Sequence, residues 1–579
     1  MQIVRTIKLI YKIDKKSFGI VFILTIATGL TPVVSLLLST TLLNSIQVLN
    51  NSFSFVLKIF IAYSLFTLIS DFLGNVKNYF SNKLQILLNY KLNYLLMEKC
   101  SELSLEQLED SETYDQITRL ENDISSKPYQ ALQALSGAIA ALTTFVSSVG
   151  ILFTWKPWTI IIIVSIPLIS ALYYLRIGKA EFAMRYFRGN KERESWYLSY
   201  LMTHDFAFKE IKVNNLKNYF LKRYWKLKEE FIGQENNINK RQIKISSIFS
   251  VIQEIVNTSI LLMAIYEAFQ GLLLIGTVTA YIKAMGMIQS NTMALTNSLY
   301  ILYNSNMYMK LLEEFFELPG EKLEGRQQIS RIDSISINNV SYAYNNTVVL
   351  KNINLNLTKG NIVAIVGKNG SGKSTLMKII AGLYTPKEGI IKVNSFSSKD
   401  IDKMTYRNRI TVLFQDFLKL EMSLANNIAL GVEDSEKDSN KINHILSNLS
   451  VDFLKNENNS EYKIDELLGN WFEGGQELSG GQWQKIALAR VNYKDADLYL
   501  LDEPSSALDS LSETKIFDEF FKLSSEKIGL YITHKIGVAK KADKIIVLDE
   551  GEIVGVGTHN NLLKSCDVYK DLFEKEMFY

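Results

Sequence analysis

Long uncharged runs dominate the first half of the chain. No charged residue lies between Ser17 and Leu57, and the run from Phe18 to Leu43 is longer than the ~20 apolar residues that a helix needs to cross a bilayer. We interpret these uncharged runs as membrane-spanning helices rather than as the buried helices of a soluble protein. The pattern predicts six spans, at residues 18–44, 54–76, 130–154, 157–175, 245–266 and 271–298.

A few polar positions interrupt these runs. Asp71, Glu254 and Lys283 fall inside predicted spans, where a charge is costly and often functional. They can line a path for cargo, or they can pair with one another or lie in extensions beyond the bilayer. The segment 290–306 is rich in Asn, Ser, Thr and Tyr, which suits a polar cavity wall.

The distribution of Lys and Arg predicts the topology. Arg5 and four lysines precede a first apolar run that is too long for a signal-peptide core, so we expect a retained helix. The connections near residues 48, 156 and 270 are short and almost uncharged, whereas those at 77–129 and 178–244 are long and rich in charge. The positive-inside rule therefore places the long connections and both termini in the cytoplasm.

A second pattern begins after the last span. The sixth helix continues until Pro319 and Gly320, a polar linker is predicted at 321–333, and short β-type runs alternate with helical stretches from Ser334 onward. We therefore expect an all-α membrane domain at 1–320, followed by an α/β domain at 334–579.

Composition excludes some partners. The net charge of +3 is small, and acidic and basic residues are interleaved, which argues against nucleic acid as a binding partner. The two cysteines, Cys100 and Cys566, fall in segments assigned to the cytoplasm, so we expect free thiols.

One glycine-rich loop predicts nucleotide binding. The strand NIVAIV leads directly into GKNGSGKST and then into the helical LMKIIAGLY, the context that a phosphate-binding loop requires. Lys373 supplies charge to the β- and γ-phosphates, and Ser374 offers a hydroxyl to Mg²⁺. The predicted ATP ligands are Gly367, Asn369, Gly370, Ser371, Gly372, Lys373, Ser374 and Thr375.

Polar residues follow three further β-type runs. Asp502 is placed to hold Mg²⁺, and the adjacent Glu503 can act as general base toward the attacking water. His534 follows LYIT, where it can contact the γ-phosphate, and Gln415 follows RITVLF, where it can reach Mg²⁺ or the water. Tyr344 offers a ring on which adenine can stack.

The stretch LSGGQWQK, residues 478–485, resembles an incomplete phosphate loop. It carries glycines at the start of a predicted helix, whose N–H groups and dipole favour an anion, but it lacks the lysine. The sequence therefore offers two phosphate-binding elements about a hundred residues apart.

Taken in order, these motifs resemble the ATP-binding cassette transporters, and six spans before one cassette resemble a half-transporter of the exporter type. The resemblance implies that Tyr344 binds adenine and that Gln415 couples ATP to the membrane domain. It also implies that LSGGQ (Ser479, Gly480, Gly481, Gln482) completes the ATP site of a second subunit and that Asp509 of the SALD segment is a nucleotide-binding residue. We expect a homodimer; a heterodimer of two intact halves stays open.

Three segments are similar to one branch of the family, the exporters of nisin- and subtilin-type lantibiotics. They are RESWYLSYLMTHDFAFKEIKVNNLKNYF, FQDF and LGNWFEGGQELSGGQWQKIALAR. This similarity implies export of a ribosomally made, thioether-modified peptide from a Gram-positive cell, with lanthionine-forming enzymes and membrane lipid as possible partners. Asn470 and Trp483 replace the glutamate and arginine usual in the wider family. Because the first span begins near residue 18, we expect no peptidase domain, and another protein would remove any leader.

Other interpretations stay open. A lipid or multidrug exporter would share every nucleotide motif, and an ATP-regulated scaffold or sensor for peptide-modifying enzymes belongs to another class. The resemblance points to coupling helices near 111–120 and 203–215, where Phe206, Phe208 and Ile211 can form an apolar knob; ordinary helix packing is the alternative.

Overall fold

The computed structural model describes residues 2–48, 51–124, 126–345, 347–455, 462–504 and 510–577. The chain forms two compact units. One comprises Met1–Leu103 and Leu108–Pro319, and the other comprises Ser104–Gln107 and Gly320–Tyr579.

The first unit is helical. Its helices, together with the short α4 in the connection after α3, are α1 (Gln2–Ile13), α2 (Lys15–Gln47), α3 (Phe53–Glu102), α4 (Leu105–Leu108), α5 (Ser111–Asp123), α6 (Lys127–Phe153), α7 (Pro157–Phe187), α8 (Gly189–Thr203), α9 (Phe208–Val213), α10 (Lys217–Phe269) and α11 (Ile275–Phe316). At ~1.5 Å per residue, the 53 residues of α10 extend ~80 Å, far more than the ~30 Å of a bilayer core.

Five helices in the described part of the chain are long and apolar enough to cross a membrane. They are Lys15–Gln47, Phe53–Glu102, Lys127–Phe153, Pro157–Arg185 and Lys217–Phe269. The first five predicted spans lie within these helices, except that the span 130–154 extends one residue beyond Phe153. The sixth, 271–298, overlaps α11, which begins at Ile275, and that span stays a prediction.

Burial along α3 changes where the apolar run ends. Phe60, Leu65 and Phe72 of its first half are more than half exposed in the isolated chain, as lipid-facing side chains would be. Further along, Leu84, Leu88, Leu92 and Leu96 recur every four residues and are buried, packing in one cluster with Leu120 and Phe315. The second half of α3 therefore belongs to a packed helical bundle.

The second unit is built on two sheets. Its strands are β1 (Ser334–Tyr344), β2 (Thr347–Thr358), β3 (Ile362–Gly367), β4 (Glu388–Val393), β5 (Phe396–Ser397), β6 (Ile410–Leu413), β7 (Leu498–Asp502), β8 (Ile528–Ile532), β9 (Lys544–Asp549) and β10 (Glu552–Gly557). A four-stranded antiparallel sheet has the order β2-β1-β4-β5. A six-stranded sheet has the order β10-β9-β3-β8-β7-β6 and is parallel except at β10.

The helices of this unit are α12 (Lys373–Ile380), α13 (Lys403–Asn408), α14 (Leu424–Ile428), α15 (Ser439–Asn448), α16 (Gly480–Tyr493), α17 (Ser510–Ser524), α18 (Ile536–Ala539), α19 (His559–Ser565) and α20 (Asp567–Met577). The central strand β3 is buried throughout. Ile362, Ala364 and Val366 face one hydrophobic cluster, and Val363 and Ile365 face another. Both faces are therefore covered, which explains why its sequence is continuously apolar rather than alternating.

The predicted linker is a packed part of the second unit. Gln327 forms a bridge with Ile401, and the Lys403 amide donates to the Leu323 carbonyl at 2.8 Å. A Cβ added to Gly325 would lie 2.2 Å from the Ile401 carbonyl carbon, so only glycine fits there. Glu321 pairs with Lys403 and Arg407, and the Arg407 hydrogen bond helps to hold its pKa below the usual value against the effect of burial.

Candidate nucleotide-binding site

The phosphate loop connects β3 to α12. Gly370 and Gly372 adopt φ of +78° and +100°, the left-handed region that glycine occupies without strain. At Gly372 a Cβ would also meet the Leu350 Cδ2 at 2.6 Å. The loop therefore has the conformation that lets successive N–H groups surround an anion.

The Lys373 ammonium lies within this loop. Its side chain is buried, and Nζ donates to the carbonyls of Gly367 at 3.0 Å and Lys368 at 2.9 Å. Burial lowers the pKa of Lys373, and the Glu503 and Asp502 carboxylates oppose that shift. The ammonium is thus fixed at the mouth of the loop before any phosphate arrives.

A cleft of about 520 Å³ opens beside the loop. The structure brings nine of the predicted site residues to its wall, together with Val349, which the sequence reasoning missed. The lining residues are Val349, Asn369, Gly370, Gly372, Lys373, Ser374, Thr375, Gln415, Glu503 and His534. A space of this size fits a triphosphate with part of its nucleoside.

Asp502 ends β7 with its carboxylate almost fully buried, at 4% exposure. Burial raises the pKa of Asp502, and a hydrogen bond with Ser374 opposes that shift. Its Oδ1 has no hydrogen-bond partner among the residues that the structure describes. A buried carboxylate oxygen without a partner, beside a hydroxyl, fits the oxygen ligands that Mg²⁺ prefers.

Glu503 is oriented from two sides. Its Oε1 lies 2.7 Å from His534 Nε2, and its Oε2 accepts from Gln415 Nε2 at 3.1 Å. The three residues follow β7, β8 and β6, which are neighbours in the parallel sheet. Glu503 itself has φ of +48°, an unusual value for a residue other than glycine, and its amide donates to the Ile532 carbonyl at 3.1 Å.

Tyr344 lies at the end of β1, next to the far end of the loop. Its hydroxyl is 3.4 Å from the Thr375 hydroxyl, and its ring is 37% exposed. Tyr384 supports it edge-on at 5.6 Å and stacks on Tyr342 at 5.1 Å. The sequence reasoning missed these two supporting tyrosines; Tyr342 could have been found from the two-residue period of the strand.

The LSGGQ segment forms the start of α16. The Ser479 hydroxyl accepts from the Gln482 amide at 3.3 Å, and the Gln482 side chain accepts from the Ser479 amide at 2.8 Å. This reciprocal capping box satisfies two N–H groups of the helix terminus. Neither these residues nor Gly480 and Gly481 are among those that line the cleft.

Four further residues from the sequence analysis are placed as follows. Gly367 ends β3, and the Ser371 hydroxyl is buried without a partner among the described residues. Asp509 lies outside the described residues. Trp483, where the sequence departs from the wider family, is buried in the core of the second unit at 3% exposure.

Comparison with known proteins defines the class to which this fold and site belong. A family model described as ABC transporter matches residues 350–506, and one described as ABC transporter transmembrane region matches residues 18–292. The chain belongs to the ABC transporters.

Two relatives are similar over essentially the whole chain. The subtilin transport ATP-binding protein SpaT of Bacillus subtilis is 43% identical over 581 residues, covering 100% of this chain and 94% of the relative. The nisin transport ATP-binding protein NisT of Lactococcus lactis subsp. lactis is 38% identical, covering 99% and 96%. The predicted resemblance to this branch is therefore confirmed.

A solved structure confirms the fold. A bacterial Atm1-family ABC exporter with ATP bound aligns with a TM-score of 0.78 over 96% of this chain and 97% of its own, at 18% identity. The predicted fold class, a helical membrane domain followed by an α/β ATP-binding domain, is thus confirmed. The protein is a multi-pass membrane protein whose ATPase domain serves transport.

Proposed function

We propose that this protein exports a ribosomally made, modified peptide of the lantibiotic type across the cytoplasmic membrane, driven by ATP hydrolysis. The observation that carries the proposal is the similarity over the full chain to two transporters named for subtilin and nisin. Both the membrane domain and the ATPase domain contribute to that similarity, so it is not explained by the nucleotide motifs alone.

The chain's own residues suggest how ATP is hydrolysed. Lys373 and the N–H groups of residues 369–375 would bind the phosphates. Asn369 and Thr375, at the two ends of this range, both line the cleft. Ser374, Asp502 and Gln415 would hold Mg²⁺, which when bound neutralises charge on the phosphates.

The attacking water would lie at Glu503. Gln415 and His534 fix the two carboxylate oxygens, so that Glu503 can accept a proton from water without first reorienting. His534 would also contact the γ-phosphate. Tyr344, exposed and braced by Tyr384, would stack on adenine.

We further propose that two copies complete each other's sites. The capped N-terminus of α16, with Ser479, Gly480, Gly481 and Gln482, would bring N–H groups to the ATP bound by the partner copy. Asp509 would lie in the same interface. The absence of this segment from the cleft lining of its own chain supports the arrangement. The charge distribution favours a cytoplasmic ATPase domain.

Transport into vesicles tests the proposal. The full chain would be reconstituted in liposomes, and uptake of a nisin-type precursor peptide would be measured with and without ATP. We expect ATP-dependent accumulation that Glu503→Gln abolishes. This substitution keeps the size of the side chain, so loss of activity would report chemistry rather than folding.

Other outcomes favour other functions. ATPase stimulation by lipid alone, with no peptide uptake, would indicate a lipid exporter. Normal secretion of the modified peptide by cells that carry only Glu503→Gln would indicate a scaffold or sensor whose ATP site does not drive transport.

A further inference from the structure

Three long helices of the membrane unit enclose a cavity of about 270 Å³ that is lined largely by side chains with polar groups. Tyr174 and Glu181 of α7, Gln242 and Ser246 of α10, and Asn297 and Tyr300 of α11 are among its lining residues. Eight of the ten lining side chains carry a hydroxyl, amide or carboxylate. Ionisable side chains in membrane helices usually face the interior of the bundle or a water-filled cavity, where they often mark a substrate pathway.

One end of the cavity holds a carboxylate. Glu181 accepts a hydrogen bond from the Tyr300 hydroxyl, and its Oε1 pairs with Arg185 Nη2 at 2.8 Å. Gly178 makes room for the tyrosine, because a Cβ there would lie 2.8 Å from the Tyr300 ring. Tyr300 is therefore fixed and holds Glu181 at the cavity.

The ion pair between Glu181 and Arg185 is weak, so Arg185 competes little with a cationic ligand for the Glu181 carboxylate. The Arg185 side chain is 54% exposed, whereas that of Glu181 is 20% exposed. An exposed pair at this i,i+4 spacing contributes little, since water screens it. A cation that enters the cavity can replace Arg185 beside the carboxylate.

Polar side chains continue from the cavity along the seam between α10 and α11. Asn257 Nδ2 donates to Gln289 Oε1 at 3.0 Å, and Gln253 Nε2 donates to Asn257 Oδ1 at 3.2 Å. Gln253 is 2% exposed, and its Oε1 has no partner among the residues that the structure describes. This buried acceptor would be satisfied by an N–H group from a ligand.

The spacing shows that the cavity and the buried amides share one face. At about 100° per residue, Gln242, Ser246, Gln253 and Asn257 lie within about 60° of one another around the axis of α10. From Gln242 to Asn257 the stripe extends about 22 Å along the helix. We call this stripe, with the facing side chains of α11 and α7, the polar seam.

We propose that the polar seam binds the cargo peptide, with Glu181 receiving a basic side chain and the amides of α10 and α11 hydrogen-bonding to the peptide backbone. Amides both donate and accept, which matches a backbone, and a carboxylate matches an ammonium or guanidinium. An anionic lipid headgroup would be repelled by the negative charge of the Glu181 carboxylate, so the cavity favours a basic peptide over such a lipid. This inference rests on the proposed export of peptide.

Peptide-stimulated ATPase activity of the full chain in lipid nanodiscs tests the inference. The probes are a lysine-containing nisin-type precursor and the same peptide with its lysines acetylated. For the unmodified protein we expect half-maximal stimulation at a concentration about tenfold lower for the lysine form, since one charge-assisted hydrogen bond is lost on acetylation. Glu181→Gln should abolish this preference.

Two further variants keep the test decisive if Glu181→Gln folds poorly. Arg185→Gln is the matched control, because it removes the competing cation and should retain or increase the preference. Asn297→Asp adds a second carboxylate to the cavity and should lower the half-maximal concentration of the lysine form further. A preference that is unchanged in both Glu181→Gln and Asn297→Asp would overturn the assignment.

The outcomes separate this inference from the proposed function. Equal stimulation of the unmodified protein by both peptides, with ATP-dependent uptake of both, would overturn the role of Glu181 and leave peptide export standing. A lack of stimulation and of uptake with either peptide would overturn both.

Discussion

At the residue scale, Asp502 is a charge of the ATP site that burial disfavours. Its pKa is raised because burial disfavours the ionised form, and its Oδ1 finds no hydrogen-bond partner within the described part of the chain. A group with a raised pKa contributes most to stability below the pKa of the unfolded chain, ~3.9 for Asp, and that contribution is lost as the pH rises through the folded value. At neutral pH the nucleotide-free domain therefore carries a destabilising carboxylate that Mg²⁺ would relieve.

Asp502→Asn tests this consequence. Asparagine has the same shape without the charge, so the nucleotide-free variant should melt about 2–4 °C above the unmodified protein at neutral pH if the charge costs about 1 kcal/mol. The difference should shrink as the pH falls toward the raised pKa. Thermal unfolding with and without Mg-ATP checks it, and Mg-ATP should stabilise the unmodified protein more. A variant that is less stable at neutral pH without nucleotide would contradict the expectation.

The sequence predicted which residues surround this site, but not how they contact one another. Gln415, Glu503 and His534 each follow a β-type run, and parallel strands bring such ends together. The φ of +48° at Glu503 and the two hydrogen bonds to its carboxylate depend on the order β8-β7-β6. That order arises from packing between distant segments, which no local pattern encodes.

At the scale of single elements, α16 does two things at once. Its first turn presents the capped LSGGQ segment, and its body contributes Trp483, Ile486 and Ala489 to the core. Arg490 extends from the same helix to the carbonyls of Asn427 at 3.0 Å and Leu418 at 3.1 Å. The position of the LSGGQ turn is thereby tied to the packing of the whole domain.

Replacing Trp483 distinguishes a core role from a surface role. Trp483→Arg should destabilise the ATP-binding domain by about 3–5 kcal/mol, because it removes a buried ring and buries an unpaired charge. Trp483→Phe keeps an apolar ring and should cost clearly less. Urea denaturation, followed by the far-ultraviolet circular dichroism of the backbone rather than by tryptophan fluorescence, measures the stability of both variants. An arginine variant as stable as the unmodified protein would indicate a surface residue.

A second element, α4, was missed by the sequence reasoning. The expected coupling segment 111–120 lies in the 13-residue α5, whereas Ser104–Gln107, just before it, belongs to the second unit. There the Tyr342 hydroxyl donates to Glu106 Oε1 at 3.0 Å. The signal was weak because α4 has only four residues, too few for a hydrophobic period to show.

Tyr342→Phe tests whether this contact serves coupling. Loss of one hydrogen bond worth about 1 kcal/mol should reduce peptide-stimulated ATPase activity about fivefold while the basal rate changes little. Val348→Ala, at an exposed position on β2, is the control. Equal losses of basal and stimulated activity would contradict a specific role of this contact in coupling.

At the scale of the whole molecule, the two-part organisation was predictable because bilayer thickness fixes the length of spanning helices. The boundary between the membrane domain and the ATP-binding domain was less predictable from the sequence. Residues 321–333 read as a polar linker, yet their contacts are largely made by the main chain, such as the Asp402 amide donating to the Gln327 carbonyl at 2.8 Å. Main-chain hydrogen bonds leave little trace in side-chain polarity, so a packed irregular segment and a free linker look alike in sequence.

Mixing two inactive variants tests the proposed dimer. Lys373→Ala removes the phosphate charge and Ser479→Ala removes the cap, and each should abolish hydrolysis alone. In a mixed dimer one site has both defects and the other has none, so equal mixing before assembly should restore about a quarter of the unmodified rate. Mixing after separate reconstitution is the control. A mixture with no recovery would contradict the completion of sites between copies.

The capping box of α16 has a consequence for the energetics of such an assembly. Ser479 and Gln482 satisfy each other's amides within one chain, so the turn is ordered when the domain folds. Two copies that meet around ATP would not lose conformational entropy at this turn. More of the free energy of ATP binding would then remain to drive movement of the membrane helices.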